Sequence, residues 1–444
     1  MLVPSNRLIF WCAMTLLPVT LLAAVLPHLL GAAAVALAVA AAACAADAWR
    51  VRGVSVAFAL PEVTNFSCGR PGELKASLSY PAALQGRTVR LTLDLPAEAC
   101  AVDTVLDCRL PADAEQAVVA WSCRPAQRGF LAVRHAACEM TSPLGLWHIV
   151  RRQAVNGALR VYPDLRGEQR KLAPIFLRRA NAGAHICRVA GKGREFEKLR
   201  EYVAGDDLGD IHWKATARRR FPITKIFQAE RTQEAYIVLD VSRLSGRQAD
   251  DDGPGAWTVL DQYIQTALTL VLAAERMGDR CGLVVFGRMV ARFLPADSGK
   301  QHFDACRNAL YLLRTEPVAP DFQDLFAFLR MRIPKRALML FLTHIDTPAL
   351  AEAFLDASRL VLRQHLLAVP LLVPHDARPL FSAPPPATAD GAFRELAEHL
   401  HWRSLKALER QLRARGVHTS LAPVRDATPA LCKHYLTVKG RQLL

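Results

Sequence analysis

The hydrophobic pattern at the start of the chain predicts two membrane-spanning helices. Residues 8–26 form an uncharged run of nineteen residues, and residues 29–46 form a second uncharged run. At about 1.5 Å of helix per residue, each run is long enough to cross most of a hydrocarbon core. We therefore expect a transmembrane hairpin over residues 1–52. A cleaved signal peptide is disfavoured because the first run is too long and a second run follows at once.

The charges that flank these two runs predict their orientation. Arg7 precedes the first run, Arg50 and Arg52 follow the second, and the short turn between the runs carries no lysine or arginine. Positive charge collects on the cytoplasmic side of membrane helices, so both ends of the hairpin should be cytoplasmic. The chain has eleven cysteines and no C-x-x-C pair, which favours reduced thiols in a reducing compartment.

Residues 53–165 alternate between apolar and polar side chains. Leu74, Ala76 and Leu78 alternate with polar residues, and so do the apolar residues between positions 89 and 95. A period of two predicts strands with one buried face. Short strands separated by turn signals predict a small β-sandwich, immunoglobulin-like in outline. We see no catalytic pattern in this region, and we expect it to be a scaffold.

Residues 166–233 are rich in charged and aromatic residues and are expected to be irregular, whereas residues 234–444 show a different pattern. Apolar strands without polar alternation are separated by helical segments in this last region. That pattern predicts an α/β domain with a doubly wound parallel sheet, covered on both faces. The strands are expected at residues 236–239, 281–286, 337–342 and 366–373.

Composition excludes several classes of protein. Hydrophobic residues make up 52% of the chain and charged residues 22%, which disfavours disorder, collagen and coiled coil. The net charge of +15 suits anionic lipid, nucleic acid or an acidic partner. Nucleic acid ranks last because no recognition motif accompanies the charge. Walker A, nucleophile-elbow and zinc-protease motifs are all missing, so we expect no enzymatic activity.

Asp240 closes the first predicted strand of the α/β region, where doubly wound sheets place their ligand sites. The sequence continues V-S-R-L-S, which resembles the first loop of von Willebrand factor type A domains. In that family Asp-x-Ser-x-Ser implies one carboxylate and two hydroxyls around a divalent cation. Here Leu244 replaces the second serine. The resemblance implies a degenerate metal site at Asp240 and Ser242, and capping of the following helix is the alternative.

The same family commonly ends a later strand in Thr-Asp. This chain has Thr343, then His344 in place of the aspartate, and Asp346 two positions further on. Mg²⁺ prefers near-octahedral oxygen coordination and tolerates lost ligands poorly. Mg²⁺ is thus the one cofactor that the sequence leaves open, and we expect no other.

A second resemblance concerns residues 193–218, GREFEKLREYVAGDDLGDIHWKATAR. This run resembles the hallmark of the bacterial family known as domain of unknown function 58. The residues that match the family's spacing and are candidates for an interaction site are Glu195, Phe196, Arg200, Tyr202, Gly205, Asp206, Asp207, Trp213, Lys214 and Arg218. Gly209 departs from the pattern, because the family usually carries arginine there.

The resemblance implies a protein of the bacterial inner membrane with a von Willebrand A-like C-terminal domain. It implies a scaffold or adaptor that works with a MoxR-type AAA+ ATPase in protein maturation or complex assembly. A metal-dependent ligand-binding module is the first alternative, and a basic lipid- or nucleic-acid-binding protein is the second.

The charges of the hallmark suggest a physical interpretation. Asp206, Asp207 and Asp210 lie close in sequence to Arg200, Lys214 and Arg218–Arg220, so an ion-pair network is expected. Tyr202, Ile211 and Trp213 are expected to pack beneath it. Such a segment either pins itself to the α/β domain or docks a partner, and the sequence leaves both open.

Overall fold

The computed structural model of the chain divides into two compact units, Met1–Tyr162 and Pro163–Leu444. Each unit has its own sheets and its own buried residues. The structure describes residues 2–25, 30–167, 170, 195–203, 206–228, 233–249, 257–345, 347–374, 377–382, 388–423 and 426–440.

The first unit begins with a short strand and two helices, β1 (Leu2–Pro4), α1 (Asn6–Val25) and α2 (Leu30–Val51). Among the described helices, α2 is the one with the length and apolar composition to cross a membrane. The window Ala34–Val51 of α2 has a mean hydropathy of 1.6 and is 11% buried. Helix α1 contains Pro18. The first span of the predicted hairpin, over residues 8–26, stays a prediction.

Two sheets follow in the first unit. One has the order β1-β9-β8-β5-β6, with β3 paired in parallel to β9, and the other has the order β2-β4-β7. The strands are β2 (Ala57–Ala59), β3 (Thr64–Ser67), β4 (Gly72–Ser79), β5 (Thr88–Leu93), β6 (Val105–Arg109), β7 (Gln116–Cys123), β8 (Gly129–Thr141) and β9 (Trp147–Tyr162).

The alternation predicted for these strands is present. In β4 the side chains of Leu74, Ala76 and Leu78 are at most 2% exposed, whereas their polar neighbours along the strand are exposed. Trp121 of the adjacent β7 is fully buried. Burying one face of each strand supplies the hydrophobic stabilisation of this unit, at about 25 cal/mol per Å² of apolar surface.

The charged segment that we predicted to be irregular is partly regular. Where the structure describes it, strands β10 (Glu195–Glu201) and β11 (Ile223–Gln228) pair antiparallel. A 3₁₀ turn at Leu208–Asp210 and the short helix α3 (Trp213–Arg219) connect them. Charged residues dominate β10, so no apolar run marked it as a strand. Pairing with β11 satisfies its backbone groups instead.

The second unit contains a six-stranded mixed sheet with the order β14-β13-β12-β15-β16-β17. Five strands are parallel and the edge strand β14 is antiparallel to β13, so the sheet is not wholly parallel as predicted. The strands are β12 (Glu234–Asp240), β13 (Arg280–Phe286), β14 (Val290–Asp297), β15 (Leu338–Leu342), β16 (Leu366–Val373) and β17 (His418–Pro423).

Helices cover both faces of this sheet, which confirms the doubly wound α/β prediction. One core contains residues of α4, α5 and α9, and the other contains residues of α6, α7 and α8. The helices are α4 (Val259–Arg276), α5 (Lys300–Leu310), α6 (Phe322–Arg332), α7 (Pro348–Ser358), α8 (Ala389–Ala414) and α9 (Ala427–Gly440).

A buried carboxylate attaches α9 to the sheet. Asp279 is fully buried and accepts hydrogen bonds from Lys439 Nζ at 2.7 Å and from Gln233 N at 3.0 Å. The hydroxyl of Tyr435 also donates to this carboxylate. Burial and the neighbouring Asp279 raise the pKa of Tyr435, so the phenol stays protonated. The carboxylate therefore holds two residues of α9 next to the starts of β12 and β13.

Candidate functional site

The carboxyl ends of β12 and β15 meet where the strand order reverses. From β12 the chain passes to β13 on one side, and β15 lies on the other side. Asp240 is the last residue of β12, and Thr343 follows the last residue of β15. Crevices at such reversals are the usual ligand sites of doubly wound sheets. The structure thus brings together two residues that are far apart in sequence.

The carboxylate of Asp240 receives hydrogen bonds from the protein itself. Thr343 Oγ1 donates to Oδ2 at 2.6 Å, and the backbone N–H of Ser242 donates to Oδ1 at 2.7 Å. The backbone N–H of His344 is a further donor. Asp240 is fully buried, and burial raises the pKa of this carboxyl group although the hydrogen bonds act in the opposite direction.

The hydroxyls of the loop are used differently from each other. Ser245 Oγ donates to the backbone carbonyl of Asp240 at 2.8 Å, so this hydroxyl closes the loop. Ser242 Oγ is fully buried beside the Asp240 carboxylate, where its side-chain hydrogen bond lowers the pKa of that group. Ser245, which stands one residue later than the second serine of the motif, is thus used by the backbone, and Ser242 stays next to the carboxylate.

His344 stands where a second carboxylate would be expected, but its side chain contacts a tyrosine. Its Nδ1 lies 3.0 Å from the hydroxyl of Tyr263, and the two rings are 5.7 Å apart. His344 is 8% exposed. Asp346 lies outside the described residues. The position of the family's aspartate is thus occupied by an imidazole that binds a tyrosine of α4.

The described residues do not fit a divalent cation. Both oxygens of their one carboxylate already accept protein donors, and Leu244 takes the place of a ligand hydroxyl. Within the part of the chain that the structure describes, no three acidic, histidine or cysteine side chains form a group that could hold a metal. The arrangement instead links the ends of two central strands through hydrogen bonds.

The hallmark residues lie in and around the β10–β11 hairpin. Glu195 and Phe196 pair through the backbone with Gln228 and Phe227, and Arg200 pairs with Thr224. Tyr202 is half-buried, and its backbone N–H donates to Pro222 O at 3.0 Å. Gly205 lies outside the described residues. The remaining members, from Asp206 to Arg218, lie in the connection between the two strands.

The predicted ion-pair network is represented by one close pair among the residues that the structure describes. Arg200 Nη2 lies 2.6 Å from Asp206 Oδ1, and the other oxygen of Asp206 accepts the backbone N–H of Val203. Asp207 caps the 3₁₀ turn, accepting the backbone N–H of Gly209 at 3.1 Å. The basic residues 214 and 218–220 form no ion pair among the described residues. They are exposed because α3 directs them to solvent.

Two side chains that we did not predict build the hairpin connection. His212 Nδ1 accepts the backbone N–H of Ala215 at 3.0 Å and so caps α3. Thr216 Oγ1 accepts the backbone N–H of Ile223 at 3.0 Å and attaches α3 to the start of β11. Histidine is a rare cap, and a capping serine, threonine or asparagine would have been the detectable signal.

Trp213 is exposed, contrary to the prediction that it packs beneath the charges. Ile211 is 8% exposed and is buried as expected, whereas Trp213 is 71% exposed. Trp213 and Ala217 are neighbours four positions apart on α3, and so are Lys214 and Arg218. At 3.6 residues per turn, the two pairs together cover about 140° of the helix surface. We call this set the Trp213 surface. Leu208, 69% exposed, lies in the same connection.

Comparison with known proteins finds a family over part of the chain. Residues 198–379 match the family described as protein of unknown function DUF58. The match includes most of the hallmark and the first five strands of the α/β sheet in chain order. It confirms the family resemblance over this range.

Curated relatives are uncharacterised. Proteins of Mycobacterium bovis and Mycobacterium tuberculosis are 23% identical to this chain over 194 residues, which are 44% of this chain. The match spans 60% of the length of those relatives.

Solved structures with some similarity include BatB from Bacteroides thetaiotaomicron, a conserved hypothetical protein. It is 10% identical with a TM-score of 0.29, over 47% of this chain and 99% of BatB. The VWA domain of SpRpn10 is 9% identical with a TM-score of 0.26, over 46% of this chain and 94% of that domain.

Proposed function

We propose that the protein is a non-enzymatic, membrane-anchored adaptor that acts with a MoxR-type AAA+ ATPase in the maturation or assembly of other proteins. Exposure of Trp213 beside Lys214 and Arg218 is the observation that carries the proposal. Tryptophan and arginine are the residues most enriched at the energetic centres of protein interfaces. A tryptophan with most of its surface in water adds little to the stability of the fold, and that surface is available for contact with a partner.

The absence of catalysis is supported by the polar cluster at the sheet reversal. A catalytic base or nucleophile needs a free atom that faces a substrate. The Asp240 carboxylate is instead fully buried and engaged by Thr343 and Ser242. We assign this cluster to the stability of the α/β domain rather than to chemistry.

Anchoring at the cytoplasmic face of the inner membrane is supported by contacts within the first unit. The turn between β8 and β9 binds both helices, because Ser5 N donates to Leu146 O at 2.9 Å and Trp147 Nε1 donates to Cys44 O at 3.1 Å. Strand β1, before α1, pairs with β9, after α2. If α1 and α2 both span the membrane, the start of α1 and the end of α2 lie on the same side of it. The arginines that flank these two ends favour the cytoplasmic side.

The adaptor proposal is tested by co-purification from membranes. The tagged full-length chain and its Trp213→Ala variant are each crosslinked in cells that express the MoxR-type ATPase of the same organism. Losing an interface centre costs about 2 kcal/mol or more, so we expect about 30-fold weaker association for the variant.

Phe393→Ala is the matched control, because Phe393 is also 71% exposed but belongs to α8. It should leave the association unchanged. Equal recovery of the ATPase with wild type and Trp213→Ala, with thermal unfolding unchanged, would show that the Trp213 surface does not dock this partner.

A further inference from the structure

A basic cleft lies at the edge of the sheet opposite to β14. The end of α8, the edge strand β17 and helix α9 surround a volume of about 780 Å³. Volumes of 300–1,000 Å³ are typical of sites for small molecules. The polar residues that line this β17 cleft include Arg413, His418, Thr419, Ser420, Lys433 and His434.

Positive charge dominates the β17 cleft. None of the described residues that line it is acidic. The carboxylate of Glu409 is nearly buried and is already paired with Arg413 at 2.7 Å and Lys406 at 3.0 Å. Lys433 is exposed and forms no ion pair among the described residues. Within that part of the chain, at least one positive charge of the cleft therefore lacks a counter-charge.

His434 responds to this concentration of charge. His434 Nε2 lies 2.9 Å from Ser420 Oγ, which orients the ring towards β17. Burial lowers the pKa of His434, and His418, Arg413 and Lys433 lower it further because they repel a second positive charge. Thr419 Oγ1 is buried without a hydrogen-bond partner in the described part of the chain. An anion would relieve the repulsion and supply acceptors.

The outer edge of β17 is protected against a pairing strand. Arg413 Nη2 donates to the backbone carbonyl of Thr419 at 3.0 Å, so one acceptor of the edge is already covered. Pro423 ends the strand without an N–H donor. Covering charges and proline are the usual protections of an exposed edge. An extended peptide that adds to the sheet is thus disfavoured relative to a compact ligand.

We propose that the β17 cleft binds a small polyanionic molecule, with phosphate or carboxylate groups held by Arg413, Lys433 and His418. Arginine and lysine supply charge-assisted hydrogen bonds to such oxygens, and the histidine supplies a ring N–H. The nearby hydroxyl of Ser420 is a further donor within the lining.

Calorimetric titration of the full-length chain in a non-ionic detergent tests the proposal. The probes are pyrophosphate and citrate, which separate a phosphate ligand from a carboxylate ligand. Binding of either probe that weakens about tenfold in Lys433→Ala supports the proposal, because a hydrogen bond to a charged group is lost. Selective binding of one probe identifies the type of oxyanion.

Arg403→Ala is the matched control, since it removes one exposed positive charge from α8 outside the cleft. His418→Gln is a second variant, which should weaken binding even if Lys433→Ala is poorly folded. No heat with either probe, or equal weakening by Arg403→Ala and Lys433→Ala, would overturn the proposal. Binding of hexaglutamate with no binding of the small anions would overturn it in favour of a peptide.

Discussion

Asp240 occupies the position of a metal ligand in the sequence motif, but in the structure it stabilises the fold. It lies at the sheet reversal, but its oxygens bind the loop after β12 and the residue after β15. These hydrogen bonds join the ends of two central strands that only the fold brings together. A buried group left without its partners costs about 1–3 kcal/mol, so the network favours one arrangement of this edge.

Replacing Asp240 by asparagine should change how stability depends on pH. Asparagine can accept from Ser242 N and donate to Thr343 Oγ1, so the fold should survive. Burial raises the pKa of Asp240 in the folded chain above its unfolded value of about 3.9. The free energy of unfolding of the wild type should therefore fall as the pH rises from the unfolded pKa of Asp240 towards its higher folded pKa. The variant has no carboxyl group at this position and should not show this fall.

The measurement is the midpoint of thermal unfolding of the second unit between pH 4 and pH 8. We expect the unfolding midpoint of the variant to rise relative to that of the wild type as the pH rises. Asp324→Asn, an exposed aspartate of α6, is the control and should show no such trend. A difference that stays constant with pH would contradict the role of Asp240 burial.

Divalent cations should leave the stability of the second unit unchanged. A site with a Kd a hundredfold below the ion concentration would stabilise the fold by about 2.7 kcal/mol and raise the unfolding midpoint by about 5–10 °C. Because both oxygens of Asp240 are engaged, we expect Mg²⁺ and Mn²⁺ to shift it by less than about 1 °C. A large shift that disappears in Ser242→Ala would show that the loop binds metal after all.

For single residues, the sequence predicts where a residue lies in the fold better than it predicts how exposed its side chain is. Asp240, Ser242 and Thr343 come together as the strand pattern indicates, because the carboxyl ends of parallel strands share one edge. The exposure of Trp213 could not be predicted, since its aromatic ring suits a core as well as an interface. The cleft residues come from three separate elements, and no spacing in sequence joins them.

At the scale of elements, buried strands were predictable and edge strands were not. Strands β12, β13, β15 and β16 are continuous apolar runs with buried residues on both faces. Strands β14 and β17 lie at the two edges and carry polar or charged residues, as edge strands do. The criterion of an apolar run therefore missed both of them, and with them the cleft beside β17.

Helix α9 should depend on its buried ion pair. Lys439→Met leaves the Asp279 carboxylate buried without its cation, at a cost of about 3 kcal/mol. The unfolding midpoint of the second unit should fall by about 6 °C or more. Differential scanning calorimetry of the purified chain measures this change.

Lys433→Met is the control on the same helix, because Lys433 is exposed and surface substitutions usually change stability by less than about 0.5 kcal/mol. Equal unfolding midpoints for both variants would show that the Asp279 pair contributes nothing beyond a surface pair.

At the scale of the whole molecule, the candidate membrane helix lies in the first unit and the candidate recognition surfaces lie in the second. The first unit carries α2 and a β8–β9 turn that binds α2 at Cys44 and Asp47 and binds Ser5 directly before α1. The second unit carries the Trp213 surface and the β17 cleft. This separation suits an adaptor, because anchoring and recognition use different residues.

The proposed orientation places the sheets of the first unit in the cytoplasm, and Cys100 can report on it. Among the described cysteines, Cys12 and Cys100 are exposed. In a chain with Cys12→Ser and Cys187→Ser, a membrane-impermeant maleimide should modify Cys100 after permeabilisation and leave it unmodified in intact spheroplasts. A further Cys100→Ser substitution should abolish the modification. Because β1 and β9 pair in one sheet, modification in intact spheroplasts would place both ends of the helical hairpin outside and reverse the orientation.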